Sequence, residues 1–335
     1  MQGVTLVGTL VIPAHKRGVR VPGVIIIAGS GSADSNGNAP GGFTTNLYSQ
    51  TADQLAQQGI ASLRYDKRGV GASTPVPLPQ NPSDPTPAEI KAMQDFATWD
   101  NYVGDARATL NYLQQQPEID PARTAVIGHS EGSIIAGVIG ASNQGLSHPL
   151  AALVLISAPG RPIAVILREQ IANQLKSQLS IPASFVLGKY DEMIAGLRKN
   201  GQPPASAFQD LKDNSKVPAQ LTQNLMAIFS PYNDTFWYGE LQVDPAANIK
   251  RYSGPVLVLQ GAKDIQVFVN EDTPLLDAAL KSRHPDEHQV VILPDTSHNM
   301  KPVQNPATDP GITGPVVPQC SSALRQWLAQ KLSTS

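Results

Sequence analysis

Short apolar runs recur along the chain, and each one ends in glycine, aspartate, serine or histidine. They lack the alternation of apolar and polar residues found in a half-exposed strand, so each predicts a strand buried on both faces. The runs lie at residues 24–29, 60–66, 124–130, 150–160, 255–264 and 288–298. Helical patterns fill most of the gaps, most clearly at residues 47–59, 99–116 and 322–332. Strands that alternate with helices predict an α/β protein with a mostly parallel sheet and helices on both faces.

Two stretches interrupt this alternation. Residues 74–88 carry six prolines, which predicts an extended surface loop. From residue 160 to about residue 245, helical patterns dominate over strand patterns. We interpret this second stretch as a helical cap that is inserted between two core strands and covers one edge of the sheet. The predicted division is a core formed by residues 1–159 and 246–335, with a cap at residues 160–245.

Composition excludes several classes of function. Only 16% of the 335 residues are charged and the formal net charge is −2, so we expect no binding to nucleic acid or anionic lipid. A single cysteine, Cys320, excludes an internal disulfide framework and a cysteine-cluster metal site. No apolar segment is long enough to span a bilayer. The lack of a leader leaves both a cytoplasmic and an exported protein open, and no oligomeric state is indicated.

The stretch VIGHSEGSIIAG, residues 126–137, places Ser130 between Gly128 and Gly132 at the end of a predicted strand. A tight turn from a strand into a helix strains the serine backbone and leaves no room for side chains two residues away. Such a turn presents the serine oxygen at the helix N-terminus, where negative charge is favoured. The alternative is a serine that caps the helix between two packing glycines, and the motif alone does not distinguish the two.

A nucleophilic serine needs a base within reach. His298 follows the last predicted strand, at the carboxyl edge of the sheet, and is the histidine best placed to reach Ser130. The side chain of His129 points away from its neighbour Ser130, so we expect it to pack or to bond locally. The remaining histidines are predicted on the solvated surface: His15, His148, His284 and His288.

The base in turn needs an acid that orients it. Asp264 stands at the carboxyl end of the strand preceding that of His298, and the order Ser130, Asp264, His298 is that of the α/β-hydrolase triad. Asp295 is the second choice, because it lies in the same turn as His298 and orients it less easily. Two further acids are predicted on an exposed helix, Asp272 and Asp277.

Attack by a serine creates an oxyanion, which two backbone N–H groups should bind. One is the N–H of the residue after the nucleophile, Glu131. The other is predicted in the loop GSGSADSNGN, at Ser30, with Gly31 as the second choice. The sequence contains neither metal-ligand spacing nor a glycine-rich cradle for a dinucleotide, so we expect no cofactor and no metal.

The stretches GSGSADSNGN, LRYDKRGVGAS, GHSEGS, PVLVLQGAKDIQV and the final SHN resemble bacterial α/β-hydrolases of the carboxylesterase and dienelactone-hydrolase-related group. The resemblance extends from GTLVIP to the last helix and implies an α/β-hydrolase fold with the same triad and oxyanion donors. The chain departs from the commonest members at Ala28-Gly29, where many relatives have His-Gly, and in its long proline-rich loop. Within YDKRG, Asp66 and Arg68 are interpreted as structural residues that tie loops together.

The predicted function is that of a serine carboxylesterase, which cleaves small to medium acyl esters through an acyl-enzyme and has a small-molecule ester as its partner. Alternatives are an acyltransferase, thioesterase or peptidase with the same triad, or a ligand-binding receptor on the same fold. In the cap, Phe236 and Trp237 are candidates for walls of an acyl pocket. Most of the apolar residues there are interpreted as the core of the cap itself.

Overall fold

The predicted parallel sheet is present in a computed structural model that describes residues 3–82, 84–142, 144–176, 180–283 and 287–333. The strands are β1 (Gly8–Val11), β2 (Val21–Ile27), β3 (Asn38–Ala39), β4 (Phe43–Thr44), β5 (Ala61–Tyr65), β6 (Ile119–His129), β7 (Ala152–Ile156), β8 (Val256–Gly261) and β9 (His288–Leu293). Seven of them pair in the order β1-β5-β2-β6-β7-β8-β9, and every pairing except β1–β5 is parallel. The strands β3 and β4 form a small hairpin after β2.

The helices follow the predicted alternation. They are α1 (Leu47–Ala56), α2 (Pro87–Phe96), α3 (Trp99–Gln114), α4 (Glu131–Gly140), α5 (Ile163–Lys176), α6 (Ala183–Asn200), α7 (Ala205–Asp213), α8 (Ala219–Ile228), α9 (Asp234–Glu240), α10 (Pro245–Arg251), α11 (Thr273–Lys281) and α12 (Pro318–Lys331). A short 3-10 helix at Pro231–Asn233 precedes α9. Among the described helices, none is long and apolar enough to cross a membrane.

The larger of two compact units contains the sheet and is built from residues 1–75, 103–161 and 244–335. Side chains that point to one face of the central strands, such as Ile26 and Ile127, pack with α1 and α12 in one buried cluster. On the other face Gly23 leaves room for Leu113 of α3, because a Cβ on Gly23 would lie 3.2 Å from the Leu113 side chain. Burial on both faces explains why these strands are apolar throughout.

The smaller unit consists of residues 76–102 and 162–243. It has a hydrophobic core of its own, which includes Tyr190, Met193 and Phe229. Helix α2 belongs to this unit and begins inside the proline-rich stretch that we predicted as a loop. Thr86 accepts from the Glu89 N–H while the Glu89 carboxylate accepts from the Thr86 N–H, so a capping box fixes the start of this helix.

Candidate active site

Ser130 lies in the turn between β6 and α4 with a strained backbone, φ 53° and ψ −124°. Its N–H donates to the carbonyl of Ile156 at 2.9 Å, which holds the turn against β7. A Cβ on Gly128 would lie 2.3 Å from the Gly132 oxygen, and one on Gly132 would lie 2.3 Å from the Ile27 oxygen. Both glycines are therefore required by close backbone approach.

The side chain of Ser130 does not cap α4. Although Ser130 occupies the N-cap position, its oxygen accepts no hydrogen bond from the described residues of the helix. Capping was the structural alternative to a reactive serine, and the geometry of this turn argues against it. The hydroxyl is left available for another partner.

His298 and Asp264 form a buried pair. His298 Nδ1 lies 2.8 Å from Asp264 Oδ2, and because the carboxylate can only accept, the imidazole donates from Nδ1 and keeps Nε2 free to accept a proton. The other carboxylate oxygen accepts from the N–H groups of Gln266 and Val267. Burial alone would raise the pKa of Asp264, but His298 and these two N–H groups bring the pKa below its usual value.

The backbone of His298 is held by two neighbouring strand ends. His129 Nε2 lies 3.0 Å from the His298 carbonyl and must donate to it, and Ser157 Oγ donates to the same oxygen at 2.7 Å. His129 Nδ1 is then the acceptor for the Tyr48 hydroxyl, at 2.9 Å. His129 packs as expected, since it is buried against the rings of Tyr48 and His298, but its hydrogen bonds are not local, because their partners lie 81 and 169 residues away in sequence.

A pH prediction follows from the environment of His129. Burial, followed by the neighbouring His298, lowers the pKa of His129 from 6.5 to about 3. Below pH 6.5 His129 becomes protonated in the unfolded chain but stays neutral in the folded chain. Acidification from pH 6.5 towards pH 3 should therefore lower the free energy of unfolding. The contribution of this group approaches about 1.4 kcal/mol per pH unit.

His129→Gln is the variant that tests this, because glutamine can donate to His298 and accept from Tyr48 without titrating. Urea unfolding of both proteins at pH 7.5, 6, 5 and 4 should show a steeper acid loss in the wild type. Parallel pH dependences of the free energy of unfolding would contradict a neutral, buried His129.

The proposed oxyanion residues lie beside this turn. Ser30 is exposed in the loop after β2, whereas Glu131 is buried at the first position of α4. A Cβ on Gly29 would come 3.2 Å from the Ser130 Cβ, so the peptide that leads into Ser30 adjoins the serine. The Gly29 N–H donates to the Tyr48 hydroxyl at 2.9 Å. Loop, turn and His298 are thus connected through Tyr48 and His129.

Phe236 and Trp237 lie in the smaller unit and are half-buried. Phe236 packs edge-to-face against Trp99, Tyr102 and Trp237. Trp237 contacts Phe229 and donates from Nε1 to the Ile228 carbonyl at 2.7 Å. Both aromatics therefore support the smaller unit, and their role as pocket walls stays a prediction.

Two predictions about ordinary surface residues were wrong. Asp272 is fully buried and accepts from the N–H groups of Gly160, Arg161 and Phe268, besides pairing with the Arg161 guanidinium. The His288 side chain is 6% exposed and bonds to Asp277. His15 and His148 are exposed, as predicted, while His284 lies outside the described residues.

Asp66 and Arg68 do tie loops together. Asp66 accepts from the N–H groups of Ser35 and Ala72, and Arg68 makes two 2.7 Å bonds to Asp105. Asp295, the second choice for the acid, adopts a left-handed backbone, φ 46°, two residues after β9. Within the described part of the chain, no group of three His, Cys, Asp or Glu residues could hold a metal ion.

Residues 41–301, most of the chain, match the family described as serine aminopeptidase, S33. The chain belongs to this family of α/β-hydrolases. One relative of this chain is Esterase EstD of Thermotoga maritima, which is 22% identical to it over 295 residues. The alignment covers 88% of this chain and 58% of EstD, so the chain spans less than two thirds of that relative.

Solved structures share the α/β-hydrolase fold. An esterase of Pyrococcus furiosus superposes with a TM-score of 0.55 at 15% identity, covering 99% of this chain and 88% of that one. Proline iminopeptidase of Mycobacterium smegmatis gives 0.53 at 18% identity, covering 99% and 96%. At these identities the likeness establishes the fold and leaves the reaction open.

Proposed function

We propose that the protein is a serine carboxylesterase that hydrolyses small to medium acyl esters through an acyl-enzyme. The observation that carries the proposal is Ser130, held at a positive φ between two glycines that have no room for a side chain. Its hydroxyl accepts no capping hydrogen bond from the described residues of α4, so helix capping does not explain why a serine occupies this position. The likeness to an esterase of Thermotoga maritima supports the ester as the bond that is cleaved.

In the proposed reaction Ser130 Oγ attacks the ester carbonyl while His298 Nε2 takes its proton. Asp264 keeps the imidazole in the required tautomer and stabilises the imidazolium that forms. The N–H groups of Ser30 and Glu131 bind the oxyanion of the tetrahedral intermediate. His298 then gives the proton to the leaving alcohol, and the acyl-enzyme remains. Water next attacks the acyl-enzyme while His298 takes its proton, and return of that proton to Ser130 Oγ releases the acid.

A peptidase is the second candidate, because the family is described as serine aminopeptidases. The same residues could attack an amide, but an amine leaves only after protonation and the amide carbonyl is less reactive. The two activities are separated by comparing p-nitrophenyl acetate, butyrate and octanoate with aminoacyl p-nitroanilides. We expect ester turnover to exceed anilide turnover.

The central experiment combines turnover with active-site labelling. A fluorophosphonate probe should modify Ser130 stoichiometrically, as located by peptide mass spectrometry, and should abolish ester hydrolysis in proportion to labelling. Labelling without turnover of any ester would favour a receptor or another bond. Turnover accelerated by added alcohol, with ester as the product, would favour an acyltransferase.

We also propose that the smaller unit acts as the cap and that Phe236 or Trp237 limits acyl length. Truncation of either residue to alanine should shift the kcat/KM preference from acetate towards octanoate, because a shortened wall admits a longer chain. The pH profile should stay unchanged, since no titrating group is removed.

Tyr238→Ala is the matched control, because Tyr238 is a neighbouring aromatic that is 47% exposed. Thermal melting of each variant detects loss of the Phe236 and Trp237 packing contacts. Equal proportional losses for all three esters would mean that these rings only stabilise the smaller unit.

A further inference from the structure

Lys67 is a buried lysine for which neither the fold nor the proposed triad accounts. It follows β5 in the sequence YDKRG, and its side chain is 4% exposed. Its Nζ donates to the Gly29 carbonyl at 2.5 Å and lies 3.5 Å from Glu131 Oε1, on a side chain that is 8% exposed. A buried ion pair of this kind seldom stabilises a protein more than an apolar pair would. Stability therefore does not explain why Lys67 and Glu131 are buried together.

The carbonyl that Lys67 contacts belongs to the peptide that carries the Ser30 N–H. In a trans peptide the C=O and N–H point in opposite directions, and the described chain has no cis bond. A bond from Lys67 to the Gly29 oxygen therefore directs the Ser30 N–H away from Lys67. No described residue accepts a hydrogen bond from this N–H. The preceding peptide is fixed as well, through the bond from the Gly29 N–H to Tyr48.

The other contact of Lys67 leads to the second oxyanion donor. Glu131 supplies the backbone N–H that follows Ser130, and its carboxylate is the group 3.5 Å from Lys67. One ammonium group thus contacts the two residues whose N–H groups must converge on the same oxygen. A charged donor on the Gly29 oxygen also polarises that amide, which makes the Ser30 N–H a stronger donor.

We propose that Lys67 is a positioning residue of the oxyanion hole: it orients the Gly29–Ser30 peptide and ties it to Glu131. The proposal rests on the proposed function, because it requires that Ser30 and Glu131 bind an oxyanion. Lys67 touches no substrate atom in this account and acts through the two backbone donors. Its effect should therefore fall on the tetrahedral intermediate and not on the bound ester.

The test compares Lys67→Met with wild type in ester hydrolysis and in binding of an alkyl trifluoromethyl ketone. This inhibitor forms a tetrahedral adduct with a serine and so measures binding of the oxyanion. Deleting an oxyanion donor costs about a hundredfold to a thousandfold, so loosening one should lower kcat by about tenfold to a hundredfold. We expect KM to change less than about threefold, and inhibitor affinity to fall by the same factor as kcat/KM.

Arg68→Met is the matched control. Arg68 is the next residue, is equally buried and also forms an ion pair, but with Asp105 instead of the oxyanion residues. We expect this variant to lose stability and to keep its inhibitor affinity. Lys67→Arg, which retains a charged donor, should recover part of the lost rate.

The outcomes separate the two proposals. If wild type neither hydrolyses p-nitrophenyl esters nor reacts with a fluorophosphonate, the proposed function fails and the role of Lys67 falls with it. If wild type is active and K67M keeps its inhibitor affinity and kcat, the positioning role alone is overturned. Should K67M not fold, Glu131→Gln carries the test, since it keeps the N–H and weakens the tie. Unchanged inhibitor affinity in a folded E131Q would then overturn the role.

Discussion

Ser130→Ala should lower kcat for p-nitrophenyl butyrate by at least about a thousandfold while leaving the fold intact. Covalent catalysis requires the serine oxygen, and an oxyanion hole without its nucleophile retains only a small residual rate. The hydroxyl makes no capping bond to the described residues of α4, so its removal should cost little stability. The measurement is steady-state turnover together with thermal melting and fluorophosphonate labelling.

Ser321→Ala provides the control for this variant. Ser321 is another buried serine of the larger unit, and its hydroxyl bonds only weakly, at 3.4 Å, to the carbonyl of Val317, the residue that precedes α12. It should keep wild-type turnover and labelling. Residual activity of S130A above about a tenth of wild type, in a sample that takes up no probe, would reject Ser130 as the nucleophile.

Gly132→Ala should destabilise the larger unit by about 3 kcal/mol or more. The added methyl group would meet the Ile27 oxygen at 2.3 Å and the Ala28 oxygen at 2.8 Å. Both are backbone atoms of the central strand region, which cannot move aside as a flexible side chain can. Relief of the clash must shift α4 or β2, and with them Ser130 and Ser30, so esterase activity should fall together with stability.

Gly137→Ala is a stringent control because it lies in the same helix. A Cβ there would meet nothing within 4 Å, and alanine favours a helix over glycine by up to about 1 kcal/mol. We expect an unchanged or slightly higher midpoint of urea unfolding and normal turnover. Equal losses for both variants would show that the helix, and not the contact with β2, is the sensitive element.

The centre of the sheet was predictable because its strands are apolar on both faces, whereas the edge strand β9 was predicted to be buried and is mostly half-exposed or exposed. For β2 and β8 every residue is buried or nearly so, and a run of this kind has few alternatives once helices flank it. The Ser130 turn was predictable from local geometry, since a glycine two residues before and after a serine indicates a backbone with no room for side chains at those two positions. Helix α2 was not, because Pro87 at its first position was interpreted, with the prolines before it, as a loop signal, although proline is favoured there.

Side chains whose partners are far away in sequence escaped prediction. Asp272 has the appearance of an exposed helix residue, but it is buried and accepts hydrogen bonds from the N–H groups of Gly160 and Arg161, more than 100 residues earlier. The environment of His129 depends in the same way on Tyr48. Lys67 did leave a signal: it is a lysine two residues after the buried strand β5, in a motif where structural roles were already predicted for both of its neighbours.

The smaller unit also has a consequence for the order of folding. Strands β7 and β8 pair with Leu153 opposite Val256, and most of the chain between them belongs to the smaller unit. As a flexible loop, a segment of this length would make the pairing entropically costly and slow. The segment buries its own core around Tyr190 and Phe229, together with residues 76–102. If that core forms first, the ends of β7 and β8 are joined by a structured body, which lowers the entropic cost of pairing the two strands.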